Sequence, residues 1–279
     1  MSEQGKASGS SRTGSLRRAL VRLVTSQPVL VTLSLLGFLA AWELFVVVFG
    51  IRAYILPRPT EIAVAIVKYM GSLLKASAYT VRSMVVGYVI AAVLGLLLAL
   101  PIAFSRTMQR TIYPLLVVSQ LVPKVALAPI FVIWFGFGLL PKITIVFLLS
   151  FFPVLLNSVV ALKSIDPEII YLARSTGASR LDIFLRVRLP SALPTIFAGL
   201  KLAAISATVG AVIGEFIGSD SGLGYIILTA QGDLQTDLSF SAIVALTVLG
   251  FLLYYGVESV ERISIPWHIS QRDERTESA

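Results

Sequence analysis

Four polar side chains stand inside otherwise apolar stretches of this chain: Lys124, Ser206, Thr208 and Glu215. A charged group is costly in hydrocarbon, so Lys124 and Glu215 must face protein, a water-filled passage or a membrane interface. Lys124 could attract an anion, and Glu215 could pair with a basic group or meet a partner. An internal structural pair, or a lysine snorkelling to an interface, would answer the same pattern. A second chemical feature is the most polar internal stretch, Lys163 to Pro190, which carries Lys163, Arg174, Arg180, Arg186 and Arg188. Other chemistry is excluded by absence. There is no cysteine and one histidine, His268, so no thiolate nucleophile and no multi-histidine metal cluster can form. No GxxxxGK[ST] phosphate loop is present. GSDSGLG (Gly218–Gly224) lacks the lysine and follows an apolar run, so it reads as a turn or re-entrant element. No cofactor is expected on this chain.

The elements that must position these groups are set by composition. Of 279 residues, 56% are apolar and 14% charged, against roughly 45–50% and 25% in soluble domains. So few charges could not cover a soluble surface, and so many apolar residues exclude a disordered chain. The expected class is an all-α polytopic membrane protein. The net charge of +8 could suggest nucleic acid, but basic residues collect in the flanks and loops of the apolar runs, which is the membrane pattern.

The apolar runs predict about six transmembrane helices. The first lies at 29–50, after a basic and polar tail over 1–28; the run is long and lacks a cleavage site, which argues against a removed signal peptide. Glu43 lies inside it and must face protein or an interface. Residues 51–78, with Pro57 and Pro59 and a helical spacing of Ile62, Ile66 and Tyr69, read as an amphipathic interfacial helix. A second span is expected at 79–101. A third region, 111–135, carries Pro114, Pro123 and Pro129 and should be broken. WFGFGLLPK (134–142) reads as a tight loop. Further spans are expected at 143–162, 192–218 and 238–258, and a charged tail at 261–279. The membrane domain is thus 29–260. Six spans put both ends on one side. Positive charge concentrates there, whereas 219–237 holds Asp220, Asp233 and Asp237 and no Lys or Arg, so both termini are expected in the cytoplasm. Arg52, Arg58, Lys68 and Lys75 run against that assignment.

Within the 163–190 loop, Asp166 can cap a helix with Pro167 at its first position, and Ser179 can cap a second short helix ending before Leu189-Pro190. Two short helices around Gly177 would make a compact knob on the cytoplasmic side; a solvated basic loop that only sets topology is the alternative. Here the sequence resembles a known family. The signature loop of binding-protein-dependent ABC importer permeases reads Glu-Ala-Ala, three residues, Gly, nine residues, Ile-x-Leu-Pro. Tyr171, Leu172 and Ala173 occupy the first three positions, Gly177 matches, and Val187, Leu189 and Pro190 complete the pattern. Tyr171 departs from the acidic residue, Leu172 from alanine, and Val187 conservatively from isoleucine. The resemblance spans about 50–260. LPRPTEI (56–62), PKVALAPIFVIWFGFG (123–138) and GEFIGSDSGLGYII (214–227) are similar to the subfamily serving nitrate, taurine, alkanesulfonates and thiamine-pyrimidine precursors.

The resemblance implies a type I ABC importer permease fold in a bacterial inner membrane. It implies a second copy of the chain, two cytosolic ATP-binding subunits carrying ATP and Mg, and an extracytoplasmic substrate-binding protein. It also implies that this chain is not itself an enzyme. Tyr171, Leu172, Ala173, Arg174, Gly177, Ala178, Ser179, Val187, Leu189 and Pro190 would form the ATPase-coupling surface. Lys124, Ser206, Thr208 and Glu215 are candidates for lining the route. An ion-coupled secondary transporter would instead need inverted internal repeats, which are not seen. A non-transporting scaffold would show no substrate-dependent turnover.

Overall fold

The computed structural model describes residues 27–267 of the chain, so the basic N-terminal tail and His268 lie outside the described residues. Regular structure among the described residues is entirely helical. In chain order the α-helices are α1 Gln27–Val48, α2 Pro59–Lys68, α3 Met70–Phe104, α4 Arg106–Ser119, α5 Ala128–Phe135, α6 Leu139–Lys163, α7 Pro167–Ser175, α8 Arg180–Ile183, α9 Leu189–Gly218, α10 Leu223–Gly232 and α11 Thr236–Ser264. A 3-10 turn, Lys124–Leu127, precedes α5, and a π turn, Phe184–Arg188, joins α8 to α9. Among the described residues, five stretches are long and apolar enough to cross a membrane: Val29–Val48, α3, α6, Arg180–Gly218 and α11. The pair Arg106–Ser119 and Lys124–Phe135 is bent by 82° and makes a sixth if it is one broken span. The prolines explain the break: Pro123 has no N–H to continue the ladder, while Pro129 sits in the first turn of α5, where none is needed.

α3 begins earlier than expected. GSLLKASAYT belongs to the first turns of α3 and is not part of a separate short helix. Its buried positions (Leu73, Ala76, Thr80, Met84, Gly87, Ala91, Gly95, Ala99 and Ile102 among them) step by three or four residues without interruption. Lys75 and Arg82 fall off that face. Charge content hid a helical stripe that was already in the sequence. The expected loop over 134–142 also shrinks: only Gly136–Gly138 lie between helices, with Gly136 at φ +74° and Gly138 at φ +133° allowing the turn. Pro141 and Lys142 are buried inside α6. The 219–237 segment contains a helix, α10, and α11 continues to Ser264, past the expected end of the last span.

α3, α6 and α9 form the centre. Lipid tails are as apolar as leucine, so close van der Waals packing, not water exclusion, must hold membrane helices together. Small residues supply it. A Cβ on Gly95 of α3 would lie 2.9 Å from Val154 of α6, and one on Gly210 of α9 would lie 2.9 Å from the Val146 backbone. Ala203, Ala204, Ala207 and Ala211 of α9 are buried with Met84, Val146 and Val154 in one cluster. Polar groups are satisfied across the same seams: Ser150 donates to the Ala203 carbonyl at 3.1 Å and Tyr88 to the Leu200 carbonyl at 3.3 Å. Lys201 of α9 pairs with Glu261 of α11 at 2.7 Å, which explains why the last helix stays docked to the core there. α1 is attached at one end. Glu43 accepts from the Thr60 hydroxyl (2.8 Å) and backbone N–H (3.2 Å) at the start of α2, and Trp42 meets the Phe240 ring at 5.9 Å. This satisfies the lone carboxylate of the first span.

Candidate functional site: the helical knob between α6 and α9

The knob is built by capping chemistry. Asp166 accepts from the Glu168 N–H at 2.9 Å and starts α7, with Pro167 at its first position. α7 ends in a Schellman turn. The Ala178 N–H reaches back to the Ala173 carbonyl (3.2 Å) and the Gly177 N–H to the Arg174 carbonyl (3.0 Å), with Gly177 at φ +81°. Only glycine takes that conformation freely, which gives Gly177 a backbone reason to be there. Ser179 then opens α8 reciprocally: its hydroxyl accepts from the Asp182 N–H at 3.1 Å, and its own N–H donates to the Asp182 carboxylate at 3.3 Å. Hydrogen bonds from the Ser179 hydroxyl and then from its backbone hold the exposed Asp182 carboxyl below its ordinary pKa.

α8 does not stop before Leu189-Pro190, as the proline had suggested. It passes through the π turn directly into α9, whose first turn holds Leu189 and Pro190. Pro190 has no N–H to donate to the preceding turn, and the irregular π turn lies where that bond would have formed. The root of the knob is fixed on the bundle. Ile183 is buried, Phe184 meets Phe104 of α3 edge-on at 5.6 Å, and the Arg188 guanidinium lies 5.2 Å over the same ring.

The ten loop residues singled out from sequence divide into three groups. Ala173, Gly177, Ala178 and Val187 come together, with Asp182 and Arg186 beside them, around a concavity of about 300 Å³. Tyr171 and Leu172 point outward, each 67% exposed, and Arg174 and Ser179 are exposed beside them. Leu189 and Pro190 belong to the root. The knob therefore presents bare apolar side chains and a shallow hollow on a stem continuous with α9. Exposed tyrosine and leucine flanked by arginine is the composition of a protein contact.

The four route candidates do not bond to one another. Lys124, at the break after α4, directs its ammonium to the Gln120 carbonyl at 3.4 Å and lies 4.8 Å over the Phe152 ring of α6. Ser206 and Thr208 donate within α9 to the Leu202 (3.0 Å) and Ala204 (3.2 Å) carbonyls, and Thr208 packs against Gly250 of α11. Glu215 is fully buried and accepts from the Gly224 N–H at 2.7 Å. Sequence reasoning missed its neighbours Thr80 and Lys142. The one available signal was the pair Gly222 and Gly224, which only a closely approached backbone requires. Among the described residues, no three His, Cys, Asp or Glu side chains are grouped to hold a metal ion.

The family described as binding-protein-dependent transport system inner membrane component matches residues 91–262, from mid-α3 through the knob to α11. The chain belongs to that family. It is a transmembrane permease subunit of an ABC importer, a multi-pass inner-membrane protein that leaves ATP hydrolysis to separate subunits. The formylaminopyrimidine transport permease protein of Halalkalibacterium halodurans is 34% identical over 241 residues, 86% of this chain and 96% of the relative. The riboflavin transport system permease protein of Chloroflexus aurantiacus is 36% identical over 86% of this permease and 90% of its own length. A putative aliphatic sulfonates transport permease protein of Escherichia coli is 32% identical over 83% and 89%. One chain of the inward-facing MetNI methionine ABC transporter shares the fold, with a TM-score of 0.60 at 21% identity over 70% of this permease and 97% of that chain.

Proposed function

We propose that two copies of this permease form the membrane passage of an importer, with a cytosolic ATP-binding subunit on each knob and an extracytoplasmic binding protein delivering the substrate. The observation that carries the ATPase contact is the knob: an exposed Tyr171–Leu172 tip on α7 and a hollow lined by Ala173, Gly177, Ala178 and Val187, beside α8, which runs through the π turn into α9. ATP binding draws the cytosolic subunits together, the knob passes that motion to α9, and the passage opens to the loaded binding protein. Hydrolysis resets it. Each state is favoured by different contacts, so the cycle is a population switch. Both termini lie in the cytoplasm.

The cargo is a small nutrient: an anion such as nitrate, taurine or an alkanesulfonate, or a thiamine-pyrimidine precursor. The substrates for which these relatives are named (formylaminopyrimidine, riboflavin, aliphatic sulfonates) support a small polar or anionic solute. Lys124, half-buried at the broken span beside an aromatic ring, is the residue best suited to greet an anion.

The test is purification of the permease from its native membrane in mild detergent with mass spectrometry of its companions. Recovery of a cytosolic ATPase, lost in Gly177→Arg, is expected. A stable permease without an ATPase, across several detergents and in a crosslinked sample, would overturn the coupling role of the knob. A co-recovered binding protein is then screened against anions and pyrimidines.

A further inference from the structure

At the end of the bundle opposite the knob, a short helix is held by side chains from two different spans. The first free N–H groups of α10 belong to Leu223 and Gly224. Thr80 of α3 accepts from Leu223 at 2.9 Å, and Glu215 of α9 accepts from Gly224 at 2.7 Å. Thr80 and Glu215 are both fully buried. The fit is tight: Gly222 stands at φ +108°, a Cβ on it would collide with the Glu215 carboxylate, and one on Gly224 would lie 2.8 Å from the Glu215 Cβ. Glu215 therefore caps α10 from inside the protein, and the GEFIGSDSGLG pattern is the sequence of that cap.

The carboxylate is only half used. Its Oε1 is buried and accepts no hydrogen bond here, the neighbouring Thr80 hydroxyl donating instead to the Ala76 carbonyl at 3.2 Å, an arrangement that costs free energy unless another state supplies a partner. A cation stands close by. Lys142 of α6 is 6% exposed, and its backbone lies against Gly214, where a Cβ would come within 3.0 Å of the Lys142 Cα. Its ammonium does not reach Glu215. It donates to the Ser219 hydroxyl at 2.5 Å, and Ser219 in turn donates to the Ser221 carbonyl. The lysine is thus tied to the very loop that leads into α10.

We propose that Glu215, Thr80 and Lys142 form a two-position latch on α10. In the position seen here, Glu215 and Thr80 hold the helix start and Lys142 holds the Ser219 loop, so α10 is pinned over the ends of α3, α9 and α11. In the second position the loop moves away, Lys142 leaves Ser219 and pairs with the vacant Glu215 oxygen, and the start of α10 is freed. The exchange keeps both buried charges partnered in the released state, which lowers the cost of opening. Glu215 and Lys142 are positioning residues: they act through α10 and need not touch the solute. The inference deepens the importer reading, because it assigns the outward-opening step to this cluster.

The test uses the complete transporter in nanodiscs, with Ile227→Cys as a reporter. Ile227 lies on the buried face of α10 and the chain has no cysteine of its own. Labelling of this chain by a hydrophilic maleimide is measured without nucleotide and in an ATP-trapped state with binding protein. Labelling is expected to be slow without nucleotide and several-fold faster when trapped. Lys142→Met should abolish the acceleration, and Ser219→Ala, which frees the lysine, should raise labelling in the nucleotide-free state. A purely structural lysine would change yield or thermal stability but leave the nucleotide dependence intact. Unchanged acceleration in Lys142→Met, or equal labelling in both states of the unmodified latch, would overturn the proposal while co-purification of the ATPase still upheld the importer reading.

Discussion

Gly177 and the Ser179–Asp182 pair carry the clearest single-residue consequences. At φ +81° any L side chain costs roughly 1 kcal/mol or more. Nothing lies within 4 Å of a Cβ built there, so the strain is conformational and not steric. Gly177→Ala should therefore leave the permease in the membrane but loosen the knob, and Gly177→Arg should in addition block the contact. Transport-coupled ATPase activity is the readout, and wild-type coupling in Gly177→Arg would refute the docking role. Ser179→Ala removes an N-cap worth roughly 1 kcal/mol and should raise protease susceptibility of α8 in inside-out membrane vesicles. The Asp182 pKa is depressed in the folded protein, so its cap contributes fully above the ordinary carboxylate range and fades as pH falls through its folded value. Knob protection should thus hold at pH 7 and decline below about pH 4, and the decline should vanish in Asp182→Asn.

Between helices, two seams make distinct predictions. Gly210→Val would push into the Val146 backbone, and overpacking of this kind typically costs about 1–3 kcal/mol; a lower thermal midpoint in detergent is the expected result. Glu261→Ala strands the Lys201 ammonium and should destabilise the α9–α11 seam, whereas Lys201→Met with Glu261→Leu should recover most of the loss, because an apolar pair needs no desolvation. Thermal unfolding of the three variants decides this. The elements themselves were partly legible. Asp166-Pro167 and Ser179 announced the two knob helices because capping is local chemistry, and Pro123 announced the broken span for the same reason. The start of α3 was hidden by Lys75 and the serines around it, although the buried stripe from Leu73 onward shows the period plainly once the helix is known. The Glu215 cap was only faintly legible: Gly222 and Gly224 signal a close backbone approach near Glu215, but Thr80 and Lys142 lie far away in sequence and nothing local marks their contact with it.

One helix, α9, runs from the knob at one end of the bundle to the Glu215 cluster at the other. Cysteines at Ser179 and Asp233, both exposed, should react with an impermeant reagent from opposite sides of the membrane; reaction from one side would refute the six-span topology. Lys124→Ala should weaken uptake of an anionic cargo more than assembly of the complex, and unchanged uptake kinetics would leave Lys124 as a stitch across the broken span. The π turn at Phe184–Arg188 absorbs one residue without changing the angular phase between the two ends, because it accommodates one more residue than the α-helical path it replaces. Removing a single residue from that turn, such as Leu185, should let the backbone relax to regular helix and leave the knob close to its present heading. Each residue of regular α-helix, by contrast, advances about 100° around the axis, so removing one from the first turns of α9, such as Ser191, would swing the knob by more than a quarter-turn. That second deletion should run out of step: the drive shaft would still turn, but with its teeth cut at the wrong angle.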